Sequence, residues 1–135
     1  MHMAELRVPR DPVYVGLVRL VVAQAARLAG VAQDRVEDVK IAVAEALASQ
    51  TGSWGDVAAG DLIELRFGPV GGGFEVTVRG LVQPSTIDGD GSDVGPDRLD
   101  PKVSFTLIEG LTDEFSHEQN GELMELRFVV GTAQD

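Results

Sequence analysis

The sequence predicts an α+β fold in which three helices cover one face of a mixed, mostly antiparallel sheet of about five strands. The first observation is the order of the predicted elements, β-α-α-β-β-loop-α-β-β, which is typical of a two-layer α/β sandwich. The second is that apolar and charged residues alternate along four strands, whereas a sheet covered on both faces would have continuously apolar strands. Each outward side carries an acid and a base: Glu5/Arg7, Glu64/Arg66, Glu75/Arg79 and Glu125/Arg127. We therefore expect cross-strand ion pairs on a sheet face open to solvent.

The N-terminal part of the chain predicts a strand and a long helix. Residues 4–8 alternate apolar and charged side chains, as in a strand with one solvated face. Asp11 and Pro12 indicate a helix start, because Asp caps free N–H groups and Pro fits the first turn. Gly30 marks the end, so this helix is expected over about residues 12–29.

A second helix is predicted from Asp34, which we expect to be its N-cap because Glu37 follows three residues later. The helix becomes almost entirely apolar between Ile41 and Ser49. Glu45 is the only charged residue in that stretch, and Thr51 begins the polar segment that ends the helix. A lone carboxylate in such a stretch is a candidate functional residue.

Two strands are predicted next, over residues 62–67 and 74–79, joined by the loose hairpin loop 68–73. Residues 80–100 then show no periodicity and contain five Asp, four Gly and two Pro. A long segment of this composition inside a domain is typically functional or flexible, so we interpret it as an acidic flexible loop.

The C-terminal part predicts a third helix and a hairpin. Asp100 and Pro101 repeat the helix start seen near the N-terminus. Asn120 and Gly121 are typical of a type I′ turn, which would join the last two strands.

Length and composition exclude several classes of protein. The 135 residues fit one domain spanning 1–135, and a net charge of −11 is unfavourable for a nucleic-acid binder. The chain has no Cys and two His, so we expect neither a disulfide scaffold nor a metal centre. No signal peptide is recognisable and no apolar run approaches the length of a membrane span, which predicts a cytoplasmic protein without a membrane partner.

The negative charge is concentrated in the second part of the chain. Residues 1–84 contain ten acidic and eight basic residues, whereas residues 85–135 contain twelve and three. This distribution disfavours binding of a polyphosphate unless a metal ion is also bound. It favours a basic protein partner, because it increases the rate at which the two proteins encounter each other. The alternative is that the charge serves solubility alone.

Glu45 and Ser49 lie one helical turn apart, on the same face of the second helix. In one interpretation they act as a base and a hydroxyl at the edge of a pocket. In the other, Glu45 is an exposed helix residue whose Ala neighbours allow close packing. The spacing alone leaves both interpretations open.

The segment from Val36 to Gln50 resembles the signature helix of bacterial anti-sigma factors that double as serine kinases. These proteins belong to the wider histidine-kinase-like (GHKL) ATPase superfamily. Residues 107–126 resemble the last helix and hairpin of the same family. The resemblance implies a Bergerat-type sandwich, ATP and Mg²⁺ bound beneath a mobile lid, sequestration of a sigma factor, and phosphorylation of an anti-anti-sigma partner.

The nucleotide motifs of this family are altered here. Its first motif pairs a Glu base with an Asn that ligates Mg²⁺, and the corresponding residues are Glu45 and Ser49. Its second motif supplies an Asp that reads adenine, at the position of Arg79 or Gly80. Its third motif is a Gly-x-Gly at the start of the last helix, where this chain has no Gly between residues 100 and 104; the residues there include Lys102 and Ser104. Five Asp in the lid region, residues 80–100, would oppose a bound triphosphate.

These departures predict an anti-sigma-factor-like domain that binds a sigma factor or an anti-anti-sigma partner and no longer binds ATP or transfers phosphate. The alternative is an active ATP-dependent serine-protein kinase with Glu45 as its base and Ser49 at the Mg²⁺. A third hypothesis is an unrelated α+β interaction domain that uses the solvated sheet face or the loop 80–100. The family resemblance also implies a homodimer, to which the apolar first helix could contribute.

Overall fold

The structure is a computed structural model that describes residues 3–50, 62–81, 101–121 and 123–132. It contains three α-helices: α1 (Val15–Ala29), α2 (Gln33–Gln50) and α3 (Pro101–Leu111). Its five strands are β1 (Ala4–Pro9), β2 (Leu62–Val70), β3 (Gly73–Leu81), β4 (Glu114–Asn120) and β5 (Leu123–Gly131). The predicted order of helices and strands is confirmed.

The strands form one sheet in the order β1-β2-β3-β5-β4, and all four neighbouring pairs are antiparallel. All three helices contribute to a hydrophobic core on one face of this sheet, which confirms the two-layer α+β sandwich. The core includes Phe74 and Phe128 on the strands, Val36 and Leu47 on α2, and Ile108 on α3.

The other face of the sheet, here called the open face, carries the predicted cross-strand ion pairs. Glu64 pairs with Arg7 at 3.1 Å and with Arg79 at 3.8 Å, so it connects β1, β2 and β3. Arg127 of β5 pairs with Glu75 of β3 and, at 3.6 Å, with Glu114 of β4. The alternation in the sequence therefore identifies correctly which strand residues face solvent.

The first helical segment follows the capping signals. Oδ1 of Asp11 accepts a hydrogen bond of 3.0 Å from the amide of Val13, and a 3-10 turn over Pro12–Tyr14 leads into α1. Gly30 ends the helix with φ +99°, a left-handed conformation that glycine adopts without strain.

The segment Pro12–Ala29 contains 18 residues with a mean hydropathy of 1.3. In contrast to the expectation from the sequence, it therefore has the length and composition of a membrane span. Helices of a protein core meet the same criteria, and α1 contacts α2, β2 and β3. One helix of this kind is weak support for a membrane span.

Three local predictions are wrong. Asp34 is not the N-cap of α2, because the helix starts one residue earlier and the carbonyl of Ala32 accepts from the amide of Val36. The β2–β3 hairpin is tighter than predicted, since Val70 pairs with Gly73 across a two-residue turn. The last hairpin is shifted by one position: Asn120 pairs with Leu123, so Gly121, with φ +63°, is the first residue inside the turn.

Candidate functional site

The candidate site begins on the second half of α2, where Glu45 and Ser49 are both half-buried. Their neighbours Ala42 and Ala46 are fully buried, so the small side chains allow α2 to pack closely and leave Glu45 at the border of the core. No hydrogen bond or ion pair joins the Glu45 carboxylate to another described residue.

Ser49 uses its hydroxyl within the helix. Its Oγ donates a hydrogen bond of 2.8 Å to the carbonyl of Ala46, a bond that Ser commonly makes within helices. The hydroxyl proton is therefore directed at the backbone of α2, and only oxygen lone pairs remain for another partner. Compared with an Asn side chain, this oxygen is held closer to the helix.

Gln50, the last residue of α2, is only 1% exposed and reaches the sheet. Its Nε2 donates to the carbonyl of Val78 at 2.9 Å and to that of Met124 at 3.3 Å, which joins α2 to β3 and β5. Gln50 was not predicted as a site residue from the sequence. The signal was present, because residue 50 continues the spacing of the buried residues 36, 39, 43 and 47.

Gly80 lies directly beneath this side chain, on the helix-facing side of β3. A β-carbon at this position would overlap Oε1 of Gln50 and would stand 3.1 Å from Nη2 of Arg10. The Arg10 guanidinium in turn donates from Nη1 to the backbone carbonyl of Gln50. The space above residue 80 is consequently filled by the side chains of Gln50 and Arg10. Arg10 was not predicted as a site residue from the sequence.

Arg79 and Gly80 lie on opposite faces of the sheet. The Arg79 side chain is on the open face, where it pairs with Glu64 at 3.8 Å and with Glu125 at 3.4 Å. Of the two residues that correspond to the adenine-reading position, only Gly80 therefore faces the helices.

The remaining predicted site residues lie at the start of α3. Ser104 is 1% exposed and faces the protein interior. Lys102 belongs to the first turn of α3, but its side chain is outside the described part of the chain. Of the predicted loop 80–100, Gly80 and Leu81 belong to β3, and residues 82–100 are not among the described residues.

Two open surface cavities are present among the described residues, and neither is lined by Glu45 or Ser49. The first, of about 370 Å³, lies between α3 and β4. The second, of about 220 Å³, lies at the end of β2, β3 and β5. Within the described ranges, no group of three or more His, Asp or Glu residues is placed to hold a metal ion.

Comparisons with known proteins are consistent with this architecture. A model of the histidine kinase-like ATPase domain matches residues 8–130. Serine-protein kinase RsbW of Bacillus velezensis is 32% identical over 125 residues, which cover 86% of this chain and 78% of that protein. The protein of the same name from Bacillus subtilis is 33% identical over 118 residues, covering 82% and 74%, respectively. The one from Oceanobacillus iheyensis is 27% identical over 119 residues, covering 82% and 75%.

Proposed function

Because the chain belongs to the histidine kinase-like ATPase domain family, we propose that it is a protein-binding regulator of the anti-sigma type whose nucleotide site is closed. It sequesters a sigma factor or binds an anti-anti-sigma partner in the cytoplasm, without ATP or Mg²⁺ as a cofactor. The whole of residues 1–135 acts as one such domain.

The observation that carries this proposal is the packing above Gly80. In the family motif, the residue at this position is an Asp whose carboxylate reads adenine. In this chain the residue is Gly80, which has no side chain, and Gln50 and Arg10 fill the space above it. Adenine recognition would require both a hydrogen-bond acceptor at residue 80 and room for the ring. Gln50 is buried and bonded to two strands, so moving it would break two hydrogen bonds in the core.

The metal position supports the same conclusion. The Ser49 hydroxyl donates to Ala46 and is shorter than the Asn amide of the family motif. Mg²⁺ requires near-ideal octahedral geometry, so a ligand that is withdrawn toward the helix is a poor substitute. The residues at the adenine and metal positions thus do not fit ATP and Mg²⁺.

The negative charge gives this regulator a means of attracting partners. With a net charge of −11, it accelerates the approach of a basic protein surface and repels free nucleotide. Glu45, which has no partner among the described residues, is then a contact residue of the protein surface rather than a base.

A thermal melt with and without ATP and Mg²⁺ tests the loss of nucleotide binding. A ligand present at 100 times its dissociation constant would add about 2.7 kcal/mol, which corresponds to a shift on the order of 10 °C for a domain of this size. We expect no shift, with serine-protein kinase RsbW of Bacillus subtilis as the positive control. A shift of several degrees at millimolar ATP would contradict the proposal.

The second candidate is an active serine-protein kinase, which the retained Glu45 and the names of the relatives favour. Kinase activity is tested by incubating the protein with radiolabelled ATP and with the anti-anti-sigma proteins encoded in the same genome. We expect no label in the partner from either wild type or Glu45→Ala. Phosphate transfer by the wild type that is lost in Glu45→Ala would establish kinase activity. It would contradict the proposal of a regulator whose nucleotide site is closed.

A further inference from the structure

An open surface cavity lies between α3 and β4, separate from the residues discussed above. It has a volume of about 370 Å³ and opens at the edge of the sheet. Its lining combines aromatic rings, hydroxyl groups and one carboxylate, contributed by Phe105, Thr106, Glu109, Phe115, Ser116 and His117.

The aromatic groups form a small stacked cluster. The His117 ring stacks on Phe105 with 4.5 Å between centroids and an interplanar angle of 26°. Phe115 lies 5.7 Å from Phe105 and 5.8 Å from His117, measured between ring centroids. His117 remains exposed, so one side of the stack is accessible from solvent. The electron-rich face of such a stack attracts a planar cation.

The described lining of the cavity carries one carboxylate, that of Glu109. β4 contains no Lys or Arg, and its Glu114 and Glu118 lie on the open face, where Glu114 pairs with Arg127. Among the described side chains, no Lys or Arg lines the cavity. A cationic group would therefore meet both an aromatic surface and a carboxylate, whereas an anion would be repelled.

The backbone next to the cavity is the open edge of the sheet. β4 is the last strand in the order and, among the described strands, pairs with β5 alone, so within the described residues its outer edge is open to an added strand. Phe115 and His117 stand opposite the core residues Phe128 and Leu126, which places them on the helix-facing side. A strand added at the usual spacing of about 4.8 Å would direct every second side chain to this same side, beside Phe105 and Glu109.

We propose that this edge binds an extended segment of a basic protein partner as a sixth strand, with an Arg side chain seated in the cavity. The guanidinium stacks on the exposed face of the His117 ring, whose other face stacks on Phe105, and pairs with Glu109. Arg suits this position better than Lys because its planar group stacks on rings and donates two hydrogen bonds to one carboxylate. A second copy of the chain is disfavoured, because both copies carry a net charge of −11 and would repel each other.

Fluorescence anisotropy with a labelled peptide of alternating Thr and Arg tests the proposal at about 0.15 M salt, where distant charges are screened. We expect Glu109→Gln and His117→Ala each to weaken binding about threefold to tenfold. Glu5→Gln removes the same charge from β1, the opposite edge of the sheet, and should change affinity less than about twofold. Two modified peptides complete the design. Citrulline in place of Arg keeps the shape without the charge, and N-methylation of alternate backbone amides blocks strand pairing; both should abolish binding.

Equal weakening by Glu109→Gln and Glu5→Gln would overturn the site in favour of non-specific charge attraction. Unchanged binding of the N-methylated peptide would overturn strand addition. If the wild type self-associates and His117→Ala abolishes this self-association, the β4 edge binds a second copy of the chain and the proposal is overturned. None of these results depends on ATP, so the failure of this proposal is distinguishable from failure of the proposed function.

Discussion

Gln50 and Gly80 occupy complementary positions, because the space that a side chain at residue 80 would need is taken by the buried side chain of Gln50. The contact joins the last residue of α2 to the next-to-last residue of β3. It leaves no room for a side chain at residue 80, which is the helix-facing residue at the adenine-reading position. Two predictions concern this pair.

We expect Gly80→Ala to destabilise the protein by about 1–3 kcal/mol, because the added methyl group overlaps Gln50 in a packed interior. Gly110→Ala is the matched control. Gly110 lies within α3, where a β-carbon meets nothing within 4 Å, so the substitution should stabilise by about 0.5–1 kcal/mol. Urea denaturation measures both changes. A Gly80→Ala variant as stable as wild type would show that Gln50 moves aside easily.

The second prediction concerns the coupling between the two residues. Gln50→Ala alone should cost about 1–3 kcal/mol, because it removes the donor to the carbonyls of Val78 and Met124. It also empties the space above residue 80, so the double variant Gly80→Ala/Gln50→Ala should be more stable than the two single effects predict. A double-mutant cycle measured by urea denaturation should show a coupling of at least about 1 kcal/mol. If the two single effects on the free energy of unfolding simply add, the cost of Gly80→Ala does not come from overlap with Gln50.

The two faces of β3 should respond differently to truncation. Arg79→Ala removes the ion pairs with Glu64 and Glu125, but Arg79 is 42% exposed, so we expect a loss of at most about 1 kcal/mol that falls with added salt. Val78→Ala, one residue earlier, truncates a fully buried side chain and should cost more, about 2 kcal/mol, with little dependence on salt. Chemical denaturation at low and high ionic strength measures the contrast. Equal, salt-independent losses would contradict the assignment of the two faces.

The sequence was most informative where a pattern is local and periodic. Alternation in the strands identified the open face, and the Asp11 and Gly30 signals identified both ends of the first helical segment. It was least informative for Gln50 and Arg10, because their roles depend on contacts between residues that are 28 to 74 positions apart. The shifted turn at Gly121 has a similar cause, since the register between β4 and β5 is set by core packing as well as by turn preference.

A further prediction concerns Arg35, which connects α2 to the segment between α3 and β4. Its Nη1 lies 2.6 Å from Oδ2 of Asp38, and its Nη2 lies 3.2 Å from Oδ2 of Asp113. Asp113 also accepts a hydrogen bond of 2.6 Å from the amide of Gly131. We expect a coupling of about 0.5–1 kcal/mol between Arg35→Ala and Asp113→Ala, modest because the Asp113 side chain is 57% exposed.

Asp113→Ala should nevertheless cost more than Arg35→Ala, because it also leaves the Gly131 amide without its acceptor at the end of β5. Hydrogen exchange provides a second measurement. The Gly131 amide should lose protection in Asp113→Ala and keep it in Arg35→Ala. Equal exchange in the two variants would indicate that Asp113 acts only through its charge.

The last prediction concerns the outer side of the first helical segment, Pro12–Ala29, where four large apolar residues face solvent: Val13, Leu17, Leu20 and Leu28. Leu20 is 67% exposed, whereas the neighbouring Val22 is fully buried in the core. If a homodimer forms through this helix, burial of Leu20 contributes to the association and little to folding of the protomer. Leu20→Glu should then weaken dimerisation about tenfold or more in sedimentation experiments, with the denaturation midpoint at low concentration unchanged. Val22→Ala should do the reverse, lowering the stability of the protomer by about 2 kcal/mol without preventing assembly. A dimer unaffected by Leu20→Glu would place the contact on another surface.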